Sequence, residues 1–113
     1  MVGQLWETFV LGQILRHIER EATAATVWFR RDAHGAELDF LVDSGMRFAA
    51  VECTWTEHPV ERDLASMAKV LPLLRADRPV MARVICRTPH AFGLPGDIEA
   101  VNGFETMEWF SSP

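Results

Sequence analysis

The sequence predicts an α/β fold in which helices cover a central mixed sheet. A helical segment comes first, three β-rich runs follow close together, and a second helical segment precedes another β-rich run. Closely spaced strands pair antiparallel, whereas a strand that follows a helical crossover lies parallel to a neighbour. We therefore predict one αβββαβ domain over residues 1–113, with its core at about residues 3–86 and a variable tail at 87–113.

The amino-terminal half is predicted to hold one helix and three strands. Residues 2–21 lack proline and carry apolar residues at helical spacing. Residues 25–31 are rich in β-branched and aromatic residues, which predicts a strand that ends at the turn sequence DAHG. Two further strands are predicted at residues 36–43 and 46–55, on either side of a Ser-Gly turn signal.

The carboxyl-terminal half is predicted to continue with a helix and a buried strand. Pro59 is well placed to open the helix, in which apolar residues recur at helical spacing as far as Leu74. The run PVMARVIC is apolar and bounded by turn residues, which is typical of a buried strand. TPHAFGLPGD predicts a loop, and IEAVNGFETMEWF predicts a short strand, a turn and a last strand or helical turn.

Composition limits the classes of function. The net charge of −5 argues against a protein that coats nucleic acid non-specifically, although it permits a local basic groove. No basic amino-terminal region precedes an apolar run, and no apolar run approaches the roughly 20 residues of a membrane span, so we predict a cytoplasmic protein without membrane contact. The P-loop sequence GxxxxGKS/T is absent, which excludes ATP binding through a P-loop.

Acidic residues in the second and third strands predict a metal site. With the turn signal at the hairpin tip and a loop at residues 43–46, Glu37 lies opposite Glu52 and Asp39 is its diagonal neighbour, about 7–8 Å away at the backbone. Because side chains alternate along a strand, Glu37, Asp39, Glu52 and Thr54 share one face in this register. Two carboxylates at that separation can converge on one cation.

The first helix adds a further acid. Glu7 falls within the apolar stripe of that helix, where an unpaired charge is costly. Carboxylate oxygens with water ligands suit Mg²⁺ or Mn²⁺ better than zinc. Spacing alone equally allows the simpler interpretation, in which these acids face solvent at strand starts and at a helix amino terminus.

This element order, with an Asp on the second strand and a Glu on the third, resembles the PD-(D/E)XK, or restriction-endonuclease-like, superfamily. More narrowly, LWETFVLGQIL, WFRRDAHGAELDFLVDSG and AAVECTWT resemble an uncharacterised domain that forms the carboxyl-terminal part of many prokaryotic P-loop AAA-type ATPases. The resemblance covers about residues 3–86. It implies Mg²⁺-dependent phosphodiester hydrolysis, with nucleic acid as substrate and an ATPase module or a second copy of the chain as partner.

The resemblance also implies roles for single residues. Asp39 and Glu52 would be the metal-binding acids, the backbone carbonyl of Cys53 a further ligand, and Glu7 the supporting acid. Glu37 joins the predicted metal ligands through the strand register. Arg30 matches a basic position of the family and, with Arg31, is predicted to contact nucleic acid.

One residue departs from the family pattern. The lysine expected two residues after Glu52 is Thr54, whose hydroxyl cannot supply the positive charge that orients the attacking water and stabilises the transition state. Lys69, the chain's only lysine, is predicted to face outward on the second helix, so Arg30 or Arg31 is a better substitute cation. We predict a degenerate nuclease-fold domain; the alternative is a non-enzymatic interaction, dimerisation or regulatory module.

Overall fold

The fold was analysed in a computed structural model that describes residues 2–21, 24–33 and 36–104, apart from the side chains of 29–33 and 36–37. The described helices and strands, in chain order, are α1 (Val2–Arg20), β1 (Thr26–Ala33), β2 (Ala36–Asp43), β3 (Phe48–Cys53), a 3₁₀ turn (Glu61–Leu64), α2 (Ala65–Arg75), β4 (Val80–Cys86), β5 (Phe92–Leu94) and β6 (Ile98–Asn102). The predicted final element, after residue 104, lies outside the described residues.

The strands form one six-stranded mixed sheet in the order β1-β2-β3-β4-β6-β5. The first three strands pair antiparallel, as predicted, and β4 lies parallel to β3 after the helical crossover. β6 is parallel to β4, and β5 is antiparallel to β6. The mixed α/β prediction is therefore confirmed, and residues 87–104 add two strands to the predicted core.

Two corrections concern element bounds. β1 runs to Ala33, into the DAHG sequence that was predicted to be a turn, and β5 lies within TPHAFGLPGD, which was predicted to be a loop. β5 has only three residues, Phe92–Leu94, and owes its strand conformation to pairing with β6 at the sheet edge. A segment so short carries too little local pattern to be predicted from its own sequence.

One helix covers each face of the sheet. α1 buries Trp6, Val10, Ile14 and His17, which recur at helical spacing along one side. They pack on strand residues that include Val51 and Ile85, whereas α2 packs its buried Met67, Val70 and Leu71 on the opposite face. Successive strand residues point to opposite faces, so β2, β3, β4 and β6 contribute to both core layers.

The end of β6 lies very close to α1. The indole Nε1 of Trp6 donates a hydrogen bond to the carbonyl oxygen of Ile85 at 3.0 Å. A Cβ atom added at Gly103 would lie 2.6 Å from the Trp6 ring and 2.7 Å from the Ile85 side chain. Only glycine therefore allows the chain to turn away from β6 against this buried ring.

The second helix begins later than predicted. A 3₁₀ turn over Glu61–Leu64 precedes α2, and the Asp63 carboxylate accepts a hydrogen bond from the Val60 N–H at 2.8 Å. This side-chain bond caps the tighter turn, so regular α-helix starts at Ala65 and not at Pro59. Lys69 is exposed, as predicted for the outward face of α2.

Candidate functional site

The register between β2 and β3 differs from the predicted one by two residues. Asp43 pairs with Phe48, and Phe40 pairs with Val51, so the predicted placement of Glu37 opposite Glu52 is wrong. If the same register is continued, Asp39 lies opposite Glu52. Because a shift of two residues keeps the alternation of side chains, it brings this pair of acids closer than the predicted diagonal arrangement.

Contacts at the hairpin explain this register. The loop occupies residues 44–47, one position later than predicted, and the Ser44 N–H donates to the Arg47 carbonyl at 3.2 Å. The Asp43 carboxylate accepts a hydrogen bond from the Gly45 N–H at 2.8 Å, and Gly45 has a φ of +91°. Glycine adopts this left-handed backbone at low cost, which favours the turn at this position.

Beyond Phe40 and Val51, the two carboxylates join the strands in place of backbone pairing. The Asp39 N–H donates to Glu52 Oε1 at 3.2 Å, and the Cys53 N–H donates to Asp39 Oδ2 at 2.7 Å. Each acid thus accepts a bond from the backbone of the opposite strand. β2 is also irregular here, since Leu38 and Leu41 pack in the same core layer although alternation would separate them.

Burial and like charge together perturb this pair. The pKa of Glu52 is raised from 4.5 to about 8, first by burial, then by the negative charge of Asp39 and, more weakly, that of Glu7. A side-chain hydrogen bond with Asp39 raises it further, while the Asp39 N–H opposes the shift. Burial and the charges of the same three acids also raise the pKa of the Cys53 thiol.

The structure therefore brings together three of the acids that the sequence analysis selected. We call Glu7, Asp39 and Glu52 the acidic end, because Asp39 and Glu52 meet where β3 finishes and Glu7 lies within electrostatic reach of them. Glu7 is half-buried beside the α1 stripe, not in its middle as predicted.

The other predicted site residues are placed less completely. Thr54 is half-buried just after β3, and its N–H donates to the Ile85 carbonyl at 3.0 Å. Arg30 and Arg31 lie in β1 and Glu37 lies in β2, where it pairs with Asp32 and not with β3. The side chains of these three residues are outside the described part of the chain, so their roles stay predictions.

The acidic end suits a hard divalent cation held partly by water. Among the described side chains, no three His, Cys, Asp or Glu residues are grouped closely enough to hold a metal alone. The groups that could hold a cation here are the Asp39 and Glu52 carboxylates and, as the family resemblance implies, the Cys53 carbonyl, with water completing the coordination, as Mg²⁺ often allows. Two buried acids that repel each other's charge fit such a cation, because it would remove the repulsion that raises the pKa of Glu52.

Sequence reasoning missed Arg87, a basic residue where β4 ends. Its guanidinium lies over the Trp55 ring, 4.4 Å from the ring centroid, and its Nε donates to the Trp55 carbonyl. Its N–H donates to the Thr56 carbonyl at 2.9 Å, which extends the parallel pairing of β3 and β4 past the acidic end. A lone arginine after a buried strand gives no sequence signal for this position.

Aromatic residues form a partly exposed group beside the acidic end. Trp6 packs against Phe9, Trp55 and Phe104 with ring centroids 5.0–5.6 Å apart. Trp6 is buried, but Phe9 is 39% exposed, Trp55 40% and Phe104 60%. We call these four residues the aromatic surface.

The fold and the acidic end define a class: a mixed α/β domain with paired carboxylates at the end of a central strand. In the described residues, neither helix is long and apolar enough to cross a membrane. The model of the family "Domain of unknown function (DUF4143)" matches residues 2–105. The chain belongs to the DUF4143 family.

One solved structure shows the same fold. It is a chain of the refined half-complex from the tetradecameric assembly of Thermococcus gammatolerans McrB AAA+ hexamers with bound McrC, with 15% identity and a TM-score of 0.54. The match covers 95% of this chain but 30% of that chain, so the present chain spans about a third of its length. At this identity the likeness shows the fold alone. Comparison with curated proteins gives no significant match.

Proposed function

We propose that this domain is of the PD-(D/E)XK type and binds Mg²⁺ or Mn²⁺ through Asp39 and Glu52. Its ancestral chemistry is metal-dependent phosphodiester hydrolysis of nucleic acid, and this copy is degenerate because Thr54 replaces the motif lysine. One observation carries the proposal: hydrogen bonds of Asp39 and Glu52 join β2 to the end of β3 at a position where burial and like charge oppose ionisation of Glu52.

A structural role alone explains this arrangement poorly. Two half-buried acids a hydrogen bond apart destabilise a fold when both ionise. The amides Asn and Gln would accept the same two backbone hydrogen bonds without that cost. The acids become favourable when a cation neutralises them. Glu7 adds negative charge and so strengthens the attraction for a cation.

The residues around the acids explain why the reaction is impaired. A bound divalent cation would supply Lewis-acid activation of water and of the phosphodiester. Thr54 offers a hydroxyl but no charge to position that water. Lys69 is exposed on α2, and Arg87 is held against Trp55, so neither described cation replaces the motif lysine.

An ATPase module is the proposed partner. This proposal is supported by the fold shared with a chain of an assembly of AAA+ hexamers and by the smaller share of that chain which the match covers. No P-loop occurs in the sequence, so ATP hydrolysis through such a motif would be contributed by the partner. A cytoplasmic location remains part of the same proposal.

A second candidate function is a non-enzymatic interaction or dimerisation module. The aromatic surface favours it, because Phe9, Trp55 and Phe104 expose large apolar side chains next to one another. Under this alternative, Phe104→Ser weakens partner binding while Asp39→Asn leaves it unchanged.

Calorimetric titration of Mn²⁺ at pH 8 tests the metal site directly. We expect saturable binding by the unmodified chain and its loss in Asp39→Asn, since an amide can still accept the Cys53 N–H bond but carries no charge. Glu57→Gln is the matched control, because this variant removes the same kind of charge from an exposed position. Binding that survives Asp39→Asn, or that is absent in the unmodified chain with and without an oligonucleotide, contradicts the proposal.

Restoring the lysine tests the proposed degeneracy. We expect Thr54→Lys to create or sharply raise Mn²⁺-dependent cleavage of single- or double-stranded DNA or RNA, because the ammonium supplies the missing charge. Thr54→Met adds similar length without charge and should stay inactive, as should Thr54→Lys combined with Asp39→Asn. If Thr54→Lys binds Mn²⁺ but cleaves no nucleic acid, the domain binds metal and the proposed nuclease geometry is contradicted.

A further inference from the structure

A second charged region lies at the opposite end of β3 and β4. A cavity of about 280 Å³ opens where β4 begins, and it is lined by Arg47, Arg75, Pro79, Val80, Met81, Ala82, Arg83 and Asp97. We call it the arginine pocket. Arg47 is five residues before Glu52, which is roughly 16 Å in extended chain. Arg83 is in register with Val51, but side chains alternate along a strand, so Arg83 points to the other face of the sheet from Val84, the partner of Glu52. The pocket is therefore separate from the acidic end.

The arginines converge from three parts of the chain. Arg47 immediately precedes β3, Arg75 ends α2, and Arg83 lies within β4. Arg75 is fixed by Nη2 hydrogen bonds to the backbone carbonyls of Gly96 at 2.9 Å and Asp97 at 3.3 Å. Carbonyl groups orient the guanidinium but do not neutralise it, so its charge remains available to a ligand.

Arg83 is only partly satisfied, since it forms an ion pair with Glu99 and its Nη1 donates a hydrogen bond to the Ala82 carbonyl at 3.1 Å. Its side chain is only 16% exposed, and its Nε lies 3.3 Å from Glu99 Oε1 without the geometry of a hydrogen bond. This buried Nε has no hydrogen-bond partner in the described part of the chain. Burial lowers the pKa of Arg83, the carboxylate of Glu99 opposes this shift, and the positive charge of Arg47 lowers the pKa further. Crowded guanidinium groups at one concave site are stabilised by an anion, which they bind in forked geometry.

We propose that the arginine pocket binds a small phosphate monoester or inorganic phosphate. The cavity is at the small end of the range for ligand sites, so it has room for little more than a phosphate and a compact organic group. Residues 79–82 form its apolar wall. Asp97 lines the pocket, and Asp43 and Asp77 pair with Arg78 next to it. These carboxylates repel an extended polyanion more than a single phosphate.

Titrations of inorganic phosphate at constant ionic strength test the proposal, with binding followed by calorimetry and thermal unfolding. We expect saturable binding that Arg75→Gln weakens by about tenfold, because a charge-assisted contact is lost. Arg75 is exposed, so this variant keeps the fold. Arg62→Gln removes an exposed arginine outside the pocket and is the control; we expect it to leave binding unchanged.

Adenosine monophosphate and a single-stranded oligonucleotide distinguish the sources of phosphate. Tighter binding of the nucleotide than of phosphate identifies a monoester ligand, and equal binding identifies phosphate itself; either supports the proposal. Binding of the oligonucleotide alone, or phosphate binding that Arg75→Gln leaves unchanged, overturns it. Asp39→Asn should retain phosphate binding, and Arg75→Gln should retain Mn²⁺ binding, so failure at one site is separable from failure at the other.

Discussion

Shielding from water has different consequences for the charged groups at the two ends of β3. At the acidic end, Glu52 responds to burial and to Asp39 by holding a proton up to about pH 8. In the arginine pocket, Arg83 is also shielded from water, but a guanidinium stays charged at any physiological pH even when its pKa is lowered. Repulsion between carboxylates can thus be relieved by a proton or a cation, whereas repulsion between arginines is relieved by an anion, as Glu99 does in part for Arg83. Under the two proposals above, the ends of β3 would therefore bind ligands of opposite charge.

The largest expected effect is a pH dependence of stability that originates at the acidic end. Glu52 binds its proton more tightly when folded, so it stabilises the fold fully below pH 4.5, and this contribution is lost as pH rises to about 8. Without divalent metal, the free energy of unfolding should fall across this window by the order of a few kcal/mol. Glu52→Gln should flatten the profile. Urea unfolding between pH 5 and 9 in a chelator measures both proteins.

The outcome of that experiment bears directly on the comparison. Arginines do not titrate in this pH range, so the arginine pocket cannot produce such a slope. A slope that persists in Glu52→Gln would mean that another group is responsible. In that case, the acidic end would not be the source of the pH dependence that distinguishes it from the arginine pocket.

Gly103→Ala should disturb one end and spare the other. The added methyl group would meet the Trp6 ring and Ile85, and overpacking of this kind costs about 1–3 kcal/mol. Trp6 precedes Glu7 on α1, so we also expect weaker Mn²⁺ binding at the acidic end and unchanged phosphate binding in the arginine pocket. Urea unfolding measures the change in stability, and calorimetry measures the binding of Mn²⁺ and of phosphate.

Gly3→Ala provides the control for that variant. A Cβ atom at Gly3 would have nothing within 4 Å, and alanine is favoured over glycine in a helix. Equal stability of the two alanine variants would show that α1 can move to accommodate the methyl group.

Arg83→Met should have a smaller effect on folding. The variant removes a guanidinium with an unsatisfied Nε and leaves Glu99, whose side chain is 44% exposed, to be hydrated. We expect the free energy of unfolding to change by less than about 1 kcal/mol, together with loss of phosphate binding. A loss of stability well above this value would identify Arg83 as an essential link between β4 and β6. Glu99→Gln is the matched partner variant.

Lys69→Ala is expected to have the smallest effect. Lys69 is exposed on α2, so both stability and Mn²⁺ binding should stay within about 0.5 kcal/mol of the unmodified values. A marked loss of Mn²⁺ binding would place this lysine at the acidic end after all.

The sequence predicted the parts of the fold that depend on local pattern. α1, β2 and β4 have strong periodic or apolar sequences, and their observed bounds are close to the predicted ones. The predicted hairpin register was wrong in part because the loop is also held by a distant residue. Arg78 donates hydrogen bonds to the Asp43 carboxylate at 2.7 Å and to the Gly45 carbonyl at 3.2 Å, and it lies 35 residues from Asp43 in sequence.

The acidic end and the arginine pocket also differ in how far they could be predicted from the sequence. Asp39 and Glu52 were selected because acids are unusual within adjacent apolar strands. The structure brings them together, since the Asp39 N–H donates to Glu52 Oε1 and the Cys53 N–H donates to Asp39 Oδ2. The arginine pocket was missed because Arg47, Arg75 and Arg83 come from separate segments. In sequence each looks like an ordinary surface arginine, and only the sheet topology brings them together.

The bonds that replace backbone pairing beyond Phe40 and Val51 make two amide groups natural spectroscopic reporters. The N–H groups of Asp39 and Cys53 each point at a carboxylate oxygen that a cation would also attract. Their signals in a nitrogen–proton correlation spectrum should therefore shift together as Mg²⁺ is added, without any label attached to the protein. In the metal-free protein, the exchange of these two amide protons with deuterium would report how often β2 and β3 separate at this position.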